Sequence, residues 1–171
     1  MNRLDRNQVG RALLLVAAVA ALSSGCADDS STSTPTTSGR QAGVAERGAS
    51  VMPFDLERTT HRFTKTDTGG VQTVIADDPG DAAQITLIRE HLTAEVDRFR
   101  RGDFTDPARI HGNEMPGLEA LRAHDGRITI DYETTPDGGR VTYNTSRAEL
   151  RNALHAWFDA QVSDHGPHAT R

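Results

Sequence analysis

Histidine is the residue type in this chain with the widest chemical scope. The chain has seven histidines among its 171 residues. Imidazole together with a thioether suits copper, and imidazole together with carboxylates suits zinc or nickel. The candidate metal ligands are spread along the second half of the chain: His91, His111, Met115, His155 and His165. Their spacing matches no metal-binding motif such as His-Glu-x-x-His.

Two further interpretations of the histidines stay open beside the metal site. In one, His91 and His155 lie at comparable points of two predicted helices and border the core, while His165 and His168 are solvated. In the other, the histidines form a pH-responsive surface, because imidazole titrates near neutrality. The sequence therefore predicts no resident cofactor, with a transition metal as the alternative.

Catalytic motifs of other kinds are absent from the sequence. There is no Gly-x-Ser-x-Gly, so a nucleophile elbow has no candidate. The Gly-Gly pairs fall in predicted hairpin turns, whereas a phosphate-binding loop joins a strand to a helix. Glu90 and Glu95 form a carboxylate pair, which we interpret as part of a solvated helix face. The sequence thus predicts no catalytic residue and disfavours an enzyme.

Cys26, the only cysteine, follows an apolar segment. A basic start, an apolar stretch and small residues precede it: Arg3, Arg6 and Arg11, then Ala12 to Leu22, then Ser23, Ser24 and Gly25. This pattern resembles the signal of bacterial lipoproteins. The resemblance implies that residues 1–25 are a signal peptide and that Cys26 carries the lipid, with an acylated (for example palmitoylated) new amino terminus.

Two alternatives to lipidation also fit the N-terminal pattern. An uncleaved membrane span would need about 20 apolar residues, more than the segment provides. An ordinary secretory signal would leave Cys26 as an unpaired thiol in an oxidising compartment. Lipidation uses that thiol, so the pattern favours a lipoprotein on the extracytoplasmic face of a cell membrane or in a periplasm.

The charge of the chain limits the classes of partner that it is expected to bind. The formal net charge is −5, and the predicted signal peptide is itself basic, so the exported part is more acidic still. An acidic domain has no electrostatic reason to bind nucleic acid. The expected partners are therefore the membrane, through Cys26, and an unidentified envelope protein or small ligand.

Composition divides the exported part into three segments. Residues 26–54 begin with a Ser/Thr-rich stretch that has little to bury, which predicts a flexible tether. Residues 55–165 are expected to form a single domain, and residues 166–171 a disordered tail. Within the domain, the Gly- and Pro-containing segment 101–117 also carries apolar residues, which predicts a packed loop before a short helix over 118–123.

The domain contains two similar predicted units. Each has two β-prone runs joined by a Gly-Gly turn, over 60–75 and 127–143, followed by an amphipathic helix. Asp78 is the predicted cap of the first helix, and Ser146 with Glu149 forms a predicted capping box for the second. The sequence thus predicts an α+β fold: a duplicated ββα unit, with a four-stranded antiparallel sheet and two helices packed on one face.

The segments 54–78 and 153–161 are similar to those of small secreted bacterial proteins with no assigned activity. That resemblance supports the two-unit fold and implies no catalytic residue. Taken together, these patterns favour a membrane-tethered, exported, non-catalytic binding or interaction module. A lipoprotein that handles copper, zinc or nickel is the alternative, and an enzyme of unknown class is the third.

Overall fold

A five-stranded mixed β-sheet and five α-helices form the protein in the computed structural model, which describes residues 37–171. The helices are α1 (Thr37–Ala49), α2 (Ala82–Phe99), α3 (Thr105–His111), α4 (Leu118–Arg122) and α5 (Ala148–His165). The strands are β1 (Thr59–Thr66), β2 (Gly69–Ala76), β3 (Thr129–Thr135), β4 (Gly138–Asn144) and β5 (Ala169–Thr170). Two short 3₁₀ helices lie at Leu56–Arg58 and Gly166–His168. The predicted α+β class is confirmed.

The sheet has the strand order β3-β4-β2-β1-β5. Its first four strands are antiparallel, with Gly69 opposite Asn144 and Ile75 opposite Gly138 where the two hairpins meet. The fifth strand runs parallel to β1 and pairs Ala169 with His61. The predicted sheet of four antiparallel strands was therefore incomplete, because the chain end adds a short parallel strand at the β1 edge.

Each hairpin is followed by one long helix, α2 after β1-β2 and α5 after β3-β4. Glycine at matching positions of the two hairpins lets the helices approach the sheet closely. A Cβ atom at Gly70 would lie 2.4 Å from Cε2 of Phe158, and one at Gly139 would lie 2.9 Å from Cδ1 of Leu92. Both glycines are therefore required by packing, because any larger side chain would collide with a core residue.

One face of the sheet and the apolar faces of α2 and α5 share a single core. Along β1 the alternation is regular, since His61 and Phe63 are buried while Arg62 and Thr64 are exposed. The core contains side chains from the sheet and from both long helices, among them Phe63, Val74, Val141, Tyr143, Leu92, Phe99, Trp157 and Phe158. The predicted apolar stripes of the two helices are thus buried together.

The helix caps differ from the predicted ones. Asp81, not Asp78, caps α2, and its carboxylate accepts a hydrogen bond from the Gln84 backbone N–H at 3.1 Å. Asp78 accepts instead from the N–H of Gly80, inside the preceding turn. The residue before α5 is Arg147, and its side chain makes no capping hydrogen bond. The predicted capping box of Ser146 and Glu149 is therefore absent, and Glu149 pairs with Arg147 in solvent.

The N-terminal boundary also differs from the prediction. Residues 37–49, assigned to a flexible tether, form α1, and α1 packs against α5 and α3 with Val44 buried. Phe54, also within the predicted tether, belongs to the core. The predicted signal peptide (1–25), Cys26 and the first part of the tether lie outside the described residues.

The C-terminal and central segments are more ordered than predicted. The predicted disordered tail, residues 166–171, contains a 3₁₀ helix and β5. The predicted loop 101–117 contains α3, of which Ile110 and His111 are buried. The predicted short helix that follows it is confirmed as α4. Among the described residues, no helix combines the length and hydropathy that a membrane span requires.

Candidate functional site

Two columns of polar side chains project from α2 and α5 into the core. Residues four apart lie on the same face of a helix, one turn above the other. On α2 the column is His91 and Glu95, and on α5 it is Trp157, Gln161 and His165. Both columns interrupt otherwise apolar stripes, so polar atoms meet where the amphipathic pattern alone predicts hydrocarbon.

A cavity of about 40 Å³ lies where these columns meet. One water needs about 10–15 Å³ of such space, so the cavity has room for a few atoms of that size. Phe54, β1, β2, β4, α3 and the two long helices contribute to its wall, which is mostly apolar. Its polar lining is His61, Gln72, His91, Glu95, Asp106, His111, Gln161 and His165, together with the indole of Trp157.

Four buried polar atoms in this wall have no hydrogen-bond partner among the described residues. They are His61 Nε2, Glu95 Oε1, Trp157 Nε1 and Gln161 Oε1. Leaving a buried polar atom unpaired costs about 1–3 kcal/mol, and buried polar groups in folded proteins are nearly always satisfied. Four such atoms around one cavity make it the candidate binding site of the described residues.

Glu95 carries the most perturbed carboxyl group of the cavity. It is 5% exposed, and burial raises its pKa to about 8, with the carboxylate of Asp106 adding to the effect. Arg98 opposes this shift, because its Nη1 lies 3.4 Å from Glu95 Oε1, but the same guanidinium forms an ion pair with Asp106. Glu95 is therefore protonated at neutral pH.

Three of the cavity histidines, His61, His91 and His165, are neutral at physiological pH. Burial lowers the pKa of His61 and of His91 to about 4, and it lowers the pKa of His165 well below the ordinary value. His165 lies between two other imidazoles, with its ring centroid 4.9 Å from that of His61 and 5.0 Å from that of His111. A neutral imidazole has one donor and one acceptor nitrogen, so these rings serve either role toward a ligand.

His111 links the cavity to α1 through a buried carboxylate. Its Nδ1 donates a hydrogen bond to Oδ2 of Asp164 at 2.9 Å, and Arg40 of α1 donates to both oxygens of Asp164 at 2.5 and 2.7 Å. Burial alone would raise the pKa of Asp164, but the hydrogen bonds from His111 and Arg40 outweigh it and lower the pKa to about 2. This group therefore holds α1 against α3 and α5.

The structure gathers only part of the predicted metal-ligand set. His91, His111 and His165 all line the cavity. His155 lies elsewhere, where its Nε2 donates to the backbone oxygens of Thr66 and Gly69. Met115 is buried beside α4, in the wall of a separate surface depression. Within residues 37–171, no three histidine, cysteine or acidic side chains are arranged to hold a metal ion.

Six of the polar residues that line the cavity were absent from the predicted site: His61, Gln72, Glu95, Asp106, Trp157 and Gln161. Glu90 is exposed as predicted, but Glu95 is buried, so the interpretation of both as a solvated face was wrong. The four-residue steps from His91 to Glu95 and from Trp157 to Gln161 and His165 were visible in the sequence. What the sequence does not show is that these two helix faces point at each other.

Comparison with protein-family models, with curated proteins and with solved structures finds no match to this chain.

Proposed function

We propose that this protein is an exported, lipid-anchored binding protein that holds a small polar ligand in its core cavity. The observation that carries the proposal is a set of buried polar atoms without a hydrogen-bond partner around one cavity: His61 Nε2, Trp157 Nε1 and Gln161 Oε1, together with Glu95 Oε1, which lies 3.4 Å from Nη1 of Arg98. A mostly apolar wall with a few converging polar groups is typical of small-molecule sites. The described lining contains no serine, threonine or cysteine, which favours binding over catalysis by a hydroxyl or thiol nucleophile.

The anchor in this proposal is Cys26, lipidated after cleavage of residues 1–25. About ten residues separate Cys26 from α1, and an extended chain spans at most about 3.5 Å per residue. The domain would therefore stay within roughly 35 Å of the lipid on the extracytoplasmic side. Cys26→Ala removes the thiol that accepts the lipid, so metabolic labelling with a fatty-acid analogue should disappear. Label that persists in this variant would refute the anchor.

Native mass spectrometry of the purified full chain tests the binding function. The wild-type protein should carry a small molecule that is released on denaturation. Gln161→Met removes the buried amide and keeps the side-chain length, so we expect the bound mass to be lost. Asn152→Leu, on the exposed face of the same helix, is the matched control and should retain it. A wild-type protein that carries no bound mass, and gains none from a cell extract, would contradict the proposal.

A second candidate function is the handling of a transition metal. The observation that favours it is the row of imidazoles formed by His61, His165 and His111, of which the first two have lowered pKa values and are thus unprotonated. Metal binding requires unprotonated imidazole. Copper, zinc or nickel should then raise the melting temperature of the wild type and not that of His165→Ala. An equal response in both proteins would exclude this function.

We further propose that the two ββα units are copies of one unit. Thr66 and Gly69 in the first hairpin correspond to Thr135 and Gly138 in the second, and the central strand pair is symmetric about its middle. The contacts of Gly70 with Phe158 and of Gly139 with Leu92 agree with the same correspondence. Each helix would then occupy an equivalent place on the sheet, and the cavity would lie between the two copies.

A further inference from the structure

The charges around the cavity define the kind of ligand that it accepts. No lysine or arginine is among the described residues that line it. An anionic ligand would therefore enter a mostly apolar space whose described wall supplies no ammonium or guanidinium group to pair with it. Burial of an unpaired charge is strongly unfavourable, so the site disfavours anions.

A cationic ligand is disfavoured for a different reason. The acidic groups of the wall are Glu95 and Asp106, and both already face arginine side chains. Arg98 pairs with Asp106 and lies 3.4 Å from Glu95, while Arg109 lies 3.7 Å from the other oxygen of Asp106. A ligand cation bound to either carboxyl group would approach Arg98 within a few ångströms, and like charges at that distance repel. The carboxyl groups are thus balanced without a ligand.

The unpaired atoms require both donors and acceptors from a ligand. The indole Nε1 of Trp157 can only donate, and the amide oxygen Oε1 of Gln161 can only accept. His61 Nε2 serves either role. The volume of about 40 Å³ limits the ligand to roughly three or four non-hydrogen atoms if the wall does not move. Phe63, Val74 and Phe99 supply apolar contact on the remaining sides.

We propose that the ligand of this cavity is a small uncharged molecule that accepts a hydrogen bond from Trp157 and donates one to Gln161. Amides and compounds of the urea type have this combination of groups and this size. The inference rests on the proposed binding function and adds the charge class and polarity of the ligand. It excludes carboxylates and ammonium-type cations of the same shape.

Three planar probes of equal size separate the charge classes. Acetamide is neutral, acetate is an anion and acetamidinium is a cation, and each has four non-hydrogen atoms. Trp157 is the only tryptophan of the chain, so the indole N–H resonance of the ¹⁵N-labelled full-length protein reports directly on the cavity. At pH 6.5 we expect acetamide to shift this resonance saturably, with a Kd of about 0.1–10 mM, as is usual for so small a ligand. Acetate and acetamidinium should bind at least about tenfold more weakly.

Two variants verify that the shift comes from the cavity. Gln161→Met should weaken acetamide binding at least about tenfold, because the ligand loses the acceptor for its N–H group. Asn152→Leu should bind as the wild type does. If a poorly dispersed NMR spectrum shows that Gln161→Met does not fold, His61→Phe is used instead. It narrows the same cavity and should also weaken acetamide binding.

The outcomes distinguish this inference from the function on which it rests. If acetate or acetamidinium shifts the indole resonance as strongly as acetamide, the cavity binds ligands and the uncharged class is wrong. If none of the three probes shifts it at 100 mM, the cavity admits only water, and both proposals are overturned. If acetamide binds equally to wild type and Gln161→Met, the assigned hydrogen bond is wrong.

Discussion

Arg89 and His155 make the same contact in the two halves of the domain. Arg89 of α2 donates hydrogen bonds to the backbone oxygens of Thr135 and Gly138, at the turn of the second hairpin. His155 of α5 donates to the backbone oxygens of Thr66 and Gly69, at the turn of the first. Each long helix is thus fixed to the hairpin that does not precede it, so neither ββα unit is complete without the other.

Replacing either residue should loosen the contact between the halves. Arg89→Ala and His155→Ala should each lower the free energy of unfolding by about 1–2 kcal/mol, because the first removes a donor to three backbone oxygens and the second a donor to two. Arg89→His should lower the free energy of unfolding less than Arg89→Ala does, since imidazole makes the equivalent contact at position 155. Urea midpoints measure the effect, with Glu90→Ala as the exposed control. Unchanged midpoints for both alanine variants would show that the contact contributes nothing.

The ion pair between Arg40 and Asp164 should govern the docking of α1. Asp164 is 3% exposed and accepts hydrogen bonds from both Arg40 and the buried His111, so its removal leaves two partners unpaired, whereas removal of Arg40 leaves Asp164 bonded to His111. We expect Asp164→Ala to destabilise the protein by about 3 kcal/mol and Arg40→Ala by about 1 kcal/mol. Hydrogen exchange should show faster exchange in α1 for both variants and no change for the exposed control Glu46→Ala. Unaltered protection of α1 in Asp164→Ala would contradict this role.

The sequence predicted the two hairpins and two long helices because their signals are local. A two-residue turn before a glycine is recognisable within a few positions of the sequence. The same holds for apolar residues at helical spacing. α1 lacks such a signal: Val44 is its buried aliphatic residue, and Arg40 and Arg47 hold it by reaching Asp164 and the backbone oxygen of Ile110. β5 has two residues, and its pairing with β1 requires the completed sheet.

Part of the cavity could likewise be predicted from local features of the sequence. His91, His111 and His165 were identified by residue type alone, and the fold brings them to one wall. Glu95 was not, because a carboxyl side chain favours solvent by residue type, although its position on α2 falls on the buried face with Leu92 and Phe99. Its burial depends on α3, which places Asp106 beside it, and α3 lies in a segment that the sequence describes only as a packed loop.

Acid should destabilise the protein through the cavity histidines. The pKa of His61 and of His91 is about 4 in the folded state and near 6.5 when unfolded, so the unfolded chain binds more protons between these values. Stability is then lost as the pH falls from about 6.5 towards 4, by about 1.4 kcal/mol per pH unit for each such histidine.

His61→Phe removes one titrating histidine and so measures its share of the acid sensitivity. The new ring would pack near Phe54 and Phe63, whose centroids lie 6.2 and 6.3 Å from that of His61. Between pH 6.5 and 4.5 we expect the variant to lose about 2 kcal/mol less stability than the wild type. His168→Gln, at a partly exposed position, is the control and should follow the wild type. Identical acid sensitivity of wild type and His61→Phe would refute the assignment.

A rise in pH should destabilise the protein through Glu95. Its pKa is about 8 in the folded state and near 4.5 when unfolded, so the folded chain binds the extra proton between these values. Glu95 therefore contributes stability that is fully present below about pH 4.5 and is lost as the pH rises through 8. Glu95→Gln keeps the shape of the protonated side chain and cannot ionise. We expect wild type and variant to be equally stable near pH 4.

At pH 8 the Glu95→Gln variant should be more stable than the wild type by up to about 3 kcal/mol, measured from urea midpoints. Glu90→Gln, five residues earlier on the exposed side of α2, should follow the wild type at every pH. Parallel curves for wild type and Glu95→Gln would mean that Glu95 is ionised in the folded protein at neutral pH. The wall would then carry a negative charge beside Arg98, and the balance of charges that favours an uncharged ligand would no longer hold.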